Sequence, residues 1–481
     1  MEVRTRYAPS PTGYMHIGNL RTALYAYLHA RKNKGRFILR IEDTDQARLV
    51  SDSIEVIYAS LKAAGLEHDE GPDKGGPCGP YMQSERLSIY RRHAETLLKE
   101  GRAYRCFCDK EERPEARHDE EHESPILGYD GKCGKLSEAE AADRLAKGLP
   151  YVIRQKIDRE GSTTFKDFVY GEITVDHKQL DDQILLKRDG YPTYNFANVV
   201  DDHLMGITHV MRGCEYISST PKYILLYRAF GWEVPEHIHL PHILNEAGRK
   251  LSKRDGSVAL SDFLEKGYLP EAILNYIAFL GWNPGTEEEF FTKEALVERF
   301  DLARIGKSPA VFDEKKLAWL NGLHIKAGRP EAAHELFLRF YPAAVLNGFD
   351  TRRISALIQG KVERPSDIPR MLSFLTELDE HYPAELFVNK KNKTTGEWCL
   401  AALKDLAGIL SGLPAWSYDG IYAALNGYAA AKGVKIGAVM WPVRIALSGL
   451  SVTPTGAVEI AELLGKAETI RRFSLAERKL R

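Results

Sequence analysis

Cysteine is scarce in this chain, six in 481 residues. Their uneven spacing excludes a disulfide framework. Long apolar runs are absent too: none approaches the roughly 20 residues of a membrane-spanning helix. The amino terminus goes directly into a strand-like segment with no signal or transit peptide, so a cytoplasmic protein with no membrane partner is expected. Net charge is nearly absent, −1 from 66 Lys+Arg and 67 Asp+Glu, and composition therefore advertises no polyanionic ligand. The balance is uneven along the chain, however. From Asn321 onward 21 Lys+Arg stand against 16 Asp+Glu, an excess that suits RNA contact but is weak by itself. Internal repeats are missing. So are the two common phosphate-loop patterns, G-x-x-x-x-G-K-[ST] and G-x-G-x-x-G, which excludes both of those nucleotide sites.

What remains is an ordinary globular composition, 44% hydrophobic and 28% charged, in a chain long enough for three or four domains. Val3 to Ala8 reads as a short strand. Asn19 can cap a helix with apolar residues Leu20, Ala23, Leu24, Tyr27 and Leu28 at helical spacing, ending at Asn33-Lys-Gly35. A second strand, Arg36 to Ile41, runs into Glu42-Asp-Thr-Asp45. Strand, helix and strand at this spacing make a right-handed βαβ unit with a parallel sheet. Ligands of such sheets sit at the carboxyl ends of the strands, here Pro9 to Gly18 and Glu42 to Asp45. Gly13 and Gly18 allow close backbone approach, the helix start offers N–H groups to a phosphate, and His16 stands one turn before it.

Far downstream, Arg249-Lys-Leu-Ser-Lys-Arg254 packs four cations into six residues before Asp255-Gly256. A basic hexamer alone is usually solvated surface. Paired with His16-Ile-Gly-Asn19 after a first strand, it reads otherwise. The two stretches resemble the HIGH and KMSKS signatures of class I aminoacyl-tRNA synthetases. Ala8-Pro-Ser-Pro-Thr-Gly13 and Arg40-Ile-Glu-Asp-Thr-Asp45 narrow the likeness to the glutamyl/glutaminyl branch. It continues through Gly71-Pro-Asp, Gln83-Ser-Glu-Arg86, Asp189-Gly-Tyr-Pro-Thr-Tyr194 and Asn198-Val-Val-Asp-Asp-His203. The chain is similar over nearly its whole length to bacterial-type glutamyl-tRNA synthetases.

That resemblance implies an α/β Rossmann-type parallel-sheet catalytic domain with an α+β insertion, followed by mostly α-helical carboxyl-terminal domains. The boundaries expected are catalytic segments 1–75 and 186–260, an insertion at 76–185, a stem-contact domain at 261–325 and an anticodon domain at 326–481. Tyr81 to Lys99 has helical periodicity, as has Ser53 to Gly65. Val152 to Lys156 and Ile173 to Val175 alternate as strands completing the insertion. The catalytic sheet is expected to resume at Ile184 to Lys187, continue through Phe196 to Val200, and reach Thr208 to Gly213. Thr220 to Phe230 is a helix by spacing, and beyond Asp262 the pattern is almost wholly helical.

The chemistry the resemblance implies is ATP-dependent attachment of L-glutamate to tRNA(Glu) through a glutamyl-adenylate, with AMP and diphosphate released and Mg2+ accompanying ATP. Both steps concentrate negative charge on phosphoryl or carbonyl oxygens, so positioned cations and N–H groups carry the catalysis. His16 with Gly18 and Asn19, and Lys250 with Lys253 and Arg254, are assigned to the nucleotide, and Glu215 to its ribose. A substrate carboxylate calls for an arginine fork, which Arg6 and Arg212 could supply. By resemblance Glu42 receives the ammonium, and Ser10, Tyr194 and Asn198 line the pocket. Lys361 falls where relatives place an arginine that reads the third anticodon base, which extends the expected partners to tRNA(Gln). A monomer is expected. Rival readings are a paralogue charging only tRNA(Gln) and an idle tRNA-binding protein.

In the insertion, Cys106-Phe-Cys108 and Cys133 suggest one structural zinc ion, because thiolates at short spacing can share a tetrahedral ion. The fourth ligand is open. Lys135 stands where some relatives carry histidine, while Tyr129, His118 and His122 are candidates.

Overall fold

A computed structural model describes residues 2–11, 15–46, 50, 52–108, 129, 131–251 and 259–481. The contacts divide the chain into two compact units, Met1–Leu264 with Pro270–Leu317, and Glu265–Leu269 with Ala318–Arg481.

In the first unit the strands are β1 (Arg4–Tyr7), β2 (Arg36–Leu39), β3 (Ala103–Cys106), β4 (Val152–Gln155), β5 (Ser162–Asp167), β6 (Gly171–Asp176), β7 (Ile184–Leu186), β8 (His209–Gly213), β9 (Glu236–Leu240) and the short pair β10 (Ile243–Leu244) and β11 (Ala310–Val311). The helices that matter to the site are α1 (Ile17–Lys32), α2 (Ser53–Ala63), α3 (Leu87–Lys99), α4 (Glu138–Ala146), α5 (Tyr194–Leu204) and α6 (Thr220–Phe230). The main sheet has the order β2-β1-β8-β9-β5-β6. It is parallel from β2 to β5, with β6 returning antiparallel at the edge. Its strands are short and mostly buried, as expected where helices cover a parallel sheet. Leu20, Ala23, Leu24, Tyr27 and Leu28, the spacing that predicted α1, are all buried.

Five expectations are corrected. Helix α1 begins at Ile17, two residues before Asn19, and its cap is His16: the backbone there is extended and Nδ1 accepts the Gly18 N–H at 3.1 Å. Asn19 has the better capping propensity, but the chain has already turned when it is reached. Ile184–Leu186 does not rejoin the main sheet; it pairs antiparallel with β4 in a separate sheet β3-β4-β7. Phe196 to Val200 is helix, within α5, because a short apolar run fits a buried helix face as well as a strand. The hairpin β5–β6, expected to complete the insertion, extends the main sheet through Asp167↔His237. Tyr81 to Lys99 becomes regular α-helix only at Leu87, after a 3-10 turn at Gln83–Arg86.

The second unit is built from helices, among them Thr351–Ile358, Gly396–Ser411, Tyr418–Ala431, Ile436–Ser448 and Ala457–Leu480. Phe337, Ile354, Leu403, Val443 and Phe473 belong to one continuous core there. Among the described residues from 318 onward there is no strand beyond an isolated bridge.

Candidate active site

A cavity of about 500 Å³ opens at the carboxyl ends of β1, β8 and β9. The sheet explains the gathering. Chain leaving β1 supplies Ala8, Pro9 and Ser10, the start of α1 supplies His16, Gly18 and Asn19, and chain after β2 supplies Glu42. From β8 come Arg212 and Gly213, from the turn after it Glu215 and Tyr216, and from beyond β9 His242, Lys250 and Leu251. Residues more than two hundred positions apart therefore face one volume, the arrangement expected at a parallel sheet's ligand edge.

Two ends of the cavity differ chemically. At the inner end three arginines surround two carboxylates. Asp202 on α5 accepts Arg6 Nε at 3.0 Å and Arg40 Nη1 at 2.7 Å, and lies 3.8 Å from Arg212 Nη2. Arg40 also donates to Glu42 Oε1 at 3.0 Å. All five groups are buried. Burial opposes the Asp202 charge, but Arg6, Arg40 and Arg212 outweigh it and hold the carboxyl well below its ordinary range. Glu42 is different: burial pushes it up more than Arg40 and Arg6 bring it down.

Arg212 is held by Asn198 Oδ1 at 3.4 Å and lies over the rings of Tyr216 and Tyr223 at 5.3 and 5.1 Å. Its Nε and Nη1 are buried and have no partner among the described residues. A buried guanidinium with two unused donors is costly unless an anion completes it. Asn198 does not line the cavity; it sits behind Arg212 and orients it. Arg6 lines the cavity but is already committed to Asp202, with Nη1 on the Met211 carbonyl.

At the outer end Lys250 Nζ donates to Glu215 Oε1 at 3.2 Å. Burial raises the Glu215 carboxyl, but its own backbone N–H and Lys250 bring it below the ordinary value. Its carboxylate folds over Gly213, into space that a Cβ at that position would fill. His16 brackets the same edge, since Ala259 bridges to His16 and the Leu260 N–H reaches the Met15 carbonyl at 3.2 Å. On the other side Lys250 bridges to Leu244 and the Leu251 N–H bonds Ile243. Lys253 and Arg254 lie outside the described residues. The Gly18 N–H expected for phosphate is taken by His16 in this conformation.

Ser10 and Tyr194 line the cavity, and both also line a neighbouring one of about 510 Å³ with Thr44, Asp45 and Lys187. Lys361 is an exposed residue of the second unit, just past helix Thr351–Ile358. Cys106, Cys108 and Cys133 come together away from the cavity, each sulfur within 4.8 Å of the others. Cys108 Sγ stands 3.4 Å from Cys133 Sγ and 3.5 Å from the Tyr129 hydroxyl. Lys135 is exposed, and His118 and His122 lie outside the described residues.

Arg40 and Asp202 carry no site assignment from sequence alone, although both lie in stretches that carry the family resemblance. The signal was present. Tyr194, Asn198 and Asp202 recur every four residues, one face of α5.

Residues 2–319 match the family described as tRNA synthetases class I (E and Q), catalytic domain, and residues 332–476 match an anticodon binding domain. The chain belongs to that class I synthetase family. Among curated proteins, the glutamate–tRNA ligases of Clostridium botulinum strain Hall and Clostridium acetobutylicum strain ATCC 824 are 53% and 52% identical to it over 480 residues, each alignment covering 100% of this chain and 99% of the relative. Among solved structures, a glutamate tRNA ligase from Elizabethkingia meningosepticum in complex with its amino acid superposes with a TM-score of 0.87 at 35% identity, covering 100% of both chains.

Proposed function

We propose that this chain attaches L-glutamate to the 3′ end of tRNA(Glu), consuming ATP and releasing AMP and diphosphate. The observation that carries the reading is Arg212, buried at the cavity's inner end with two donors unused. An amino acid with a side-chain carboxylate supplies the missing acceptor, and Glu42 beside it suits the substrate ammonium. Arg6, locked on Asp202, adds positive charge to the same end; Ser10, Tyr194 and Asn198 shape and support it.

In the first step a carboxylate oxygen of glutamate attacks the α-phosphorus of ATP, and the bond to diphosphate breaks. In the second a terminal ribose hydroxyl of the tRNA attacks the activated carbonyl and AMP leaves. The protein's part is placement and charge. Lys250 stands at the outer end, where His16, Gly18 and Asn19 begin α1, and there the phosphates belong, with Lys253 and Arg254 completing the set. Glu215 takes the ATP ribose once Lys250 has turned to the phosphates. ATP enters as its magnesium complex.

Three thiols and a phenol in mutual reach are a donor set for one zinc ion, so Cys106, Cys108, Cys133 and Tyr129 would hold it. Its task would be structural, tying β3 to the turn at Lys132–Lys135 in a subdomain with few other staples. The insertion around it would hold the tRNA acceptor end, and the helical second unit the anticodon, with Lys361 at the third base. A cytoplasmic monomer suits these substrates.

Pyrophosphate exchange and charging assays with purified tRNA(Glu) test the reading. Glutamate-dependent exchange and stable glutamyl-tRNA are expected. An absence of both, with tRNA still bound, would leave the idle binding protein instead.

A further inference from the structure

Beside the outer end of the cavity three different metal-ligating side chains converge. Cys214 and Glu215 follow β8, and His242 follows β9; one ligand atom from each lies within 4.8 Å of the other two. Glu215 Oε2 is 3.9 Å from His242 Nδ1. The sheet brings them together, because β8 and β9 are adjacent and parallel with Gly213 opposite Leu240. Residues one or two places beyond each strand must share an edge.

The proposed catalysis uses only Glu215 of the three, and Cys214 has no part in it. Nor is Cys214 a core thiol like Cys399: it is half-buried, between Gly213 and Glu215 of the cavity lining. Thiol, imidazole and carboxylate together select a borderline-soft divalent ion over magnesium or calcium, which prefer all-oxygen shells. Bonds of about 2.0–2.3 Å in a tetrahedral shell need ligand atoms somewhat closer than these stand. The side chains are partly exposed and turn without disturbing the core. Three protein ligands leave a fourth position for water.

We propose that Cys214, Glu215 and His242 form a site for a thiophilic divalent cation at the cavity mouth, and that Zn2+ bound there shuts ATP out. The inhibition rests on the assignment of Glu215 to ATP; the binding does not. An ion on Glu215 removes the carboxylate from the nucleotide and places a positive charge beside Lys250, which repels that ammonium from the edge it must serve.

Cobalt binding followed by absorbance tests the site without any substrate. In a Cys133→Ala background, where the other thiol cluster is broken, the chain is expected to take one Co2+ with a thiolate-to-metal band. Adding Cys214→Ser or Cys214→Ala abolishes that equivalent; Cys78→Ala, the control, keeps it. In the intact chain, buffered free Zn2+ is expected to raise the KM for ATP in pyrophosphate exchange, reversibly on chelation. Cys214→Ser weakens that inhibition at least tenfold at unchanged basal activity. Retention of the Co2+ equivalent and its thiolate band in both Cys214 variants overturns the site. Cobalt lost on Cys214 substitution but zinc inhibition unchanged overturns the inhibitory role alone, and a chain that binds cobalt yet never activates glutamate would refute the proposed function and leave the metal site standing.

Discussion

Asp202 on α5 grips Arg6 on β1 through both carboxylate oxygens, at 3.0 and 3.3 Å, and neither side chain is more than 4% exposed. The same carboxylate takes Arg40 and neighbours Arg212, so one anion sets three cations. Asp202→Asn keeps the shape and removes the charge. Breaking one partner from a buried ion network typically costs about 3–5 kcal/mol. The variant should lose stability of that order in urea titrations and show a raised KM for glutamate, since Arg6 and Arg212 lose their anchor. Wild-type unfolding and kinetics together would show that the network is incidental.

The same residue sets a pH dependence. Unfolded, Asp202 takes up its proton near the ordinary value of 3.8; folded, only well below it. The unfolded state thus binds more protons as pH falls. Stability from Asp202 is fully present above pH 3.8 and is lost as pH falls toward the folded value. Urea midpoints measured between pH 6 and pH 3 should decline less steeply in Asp202→Asn than in the wild type. Parallel curves would assign the acid sensitivity elsewhere.

Arg212→Ala should remove glutamate recognition while sparing the fold. Losing a charged partner of a buried ligand carboxylate costs about 2–5 kcal/mol, roughly 30-fold or more in kcat/KM for glutamate. The KM for ATP should move far less. Arg212→Lys should not rescue fully, because a point charge lacks the planar fork. Equal losses for glutamate and ATP would point to general collapse of the cavity.

Much of this was legible in the residues. The βαβ start and helix Thr220–Phe230 follow from spacing and strand-end logic, whereas the convergence of His16 with Lys250 is what the family resemblance implies. Two of the corrections share a cause. Ile184-Leu-Leu and Phe196 to Val200 are short apolar runs, which carry no information about which sheet, or which element type, will bury them. Burial on α5 decided the second, and antiparallel pairing with β4 the first. The four-residue recurrence of Tyr194, Asn198 and Asp202 marks one side of the ion network, but nothing local joins Asp202 to Arg40, which lies 162 residues away. The Glu215–Lys250 pair was invisible for the same reason.

Metal analysis of freshly purified protein should find close to one zinc per chain at Cys106, Cys108 and Cys133. Cys133→Ala should lose it. Because these residues lie away from the cavity, tRNA charging should fall more than glutamate activation. Well under one zinc in the wild type would leave three reduced thiols packed beside Val152 as the better description.

Lys361 offers the last prediction. It is exposed at the end of a helix in the second unit, with its backbone N–H tied to the Ile358 carbonyl at 2.8 Å and its neighbour Gln359 bonding the Ile325 and Gly328 carbonyls. The backbone is thus fixed and the ammonium free to swing. An ammonium on a flexible stem attracts the anticodon without imposing the two-point geometry that an arginine imposes on a base edge. If Lys361 is the reader of the third base, discrimination there is weak, and the purified chain should charge tRNA(Gln) as well as tRNA(Glu). Lys361→Arg should then restore selectivity by about 1–3 kcal/mol, the worth of one bidentate base contact, and do so without changing pyrophosphate exchange. Strict rejection of tRNA(Gln) by the wild type would place the reading in other residues of the helical unit.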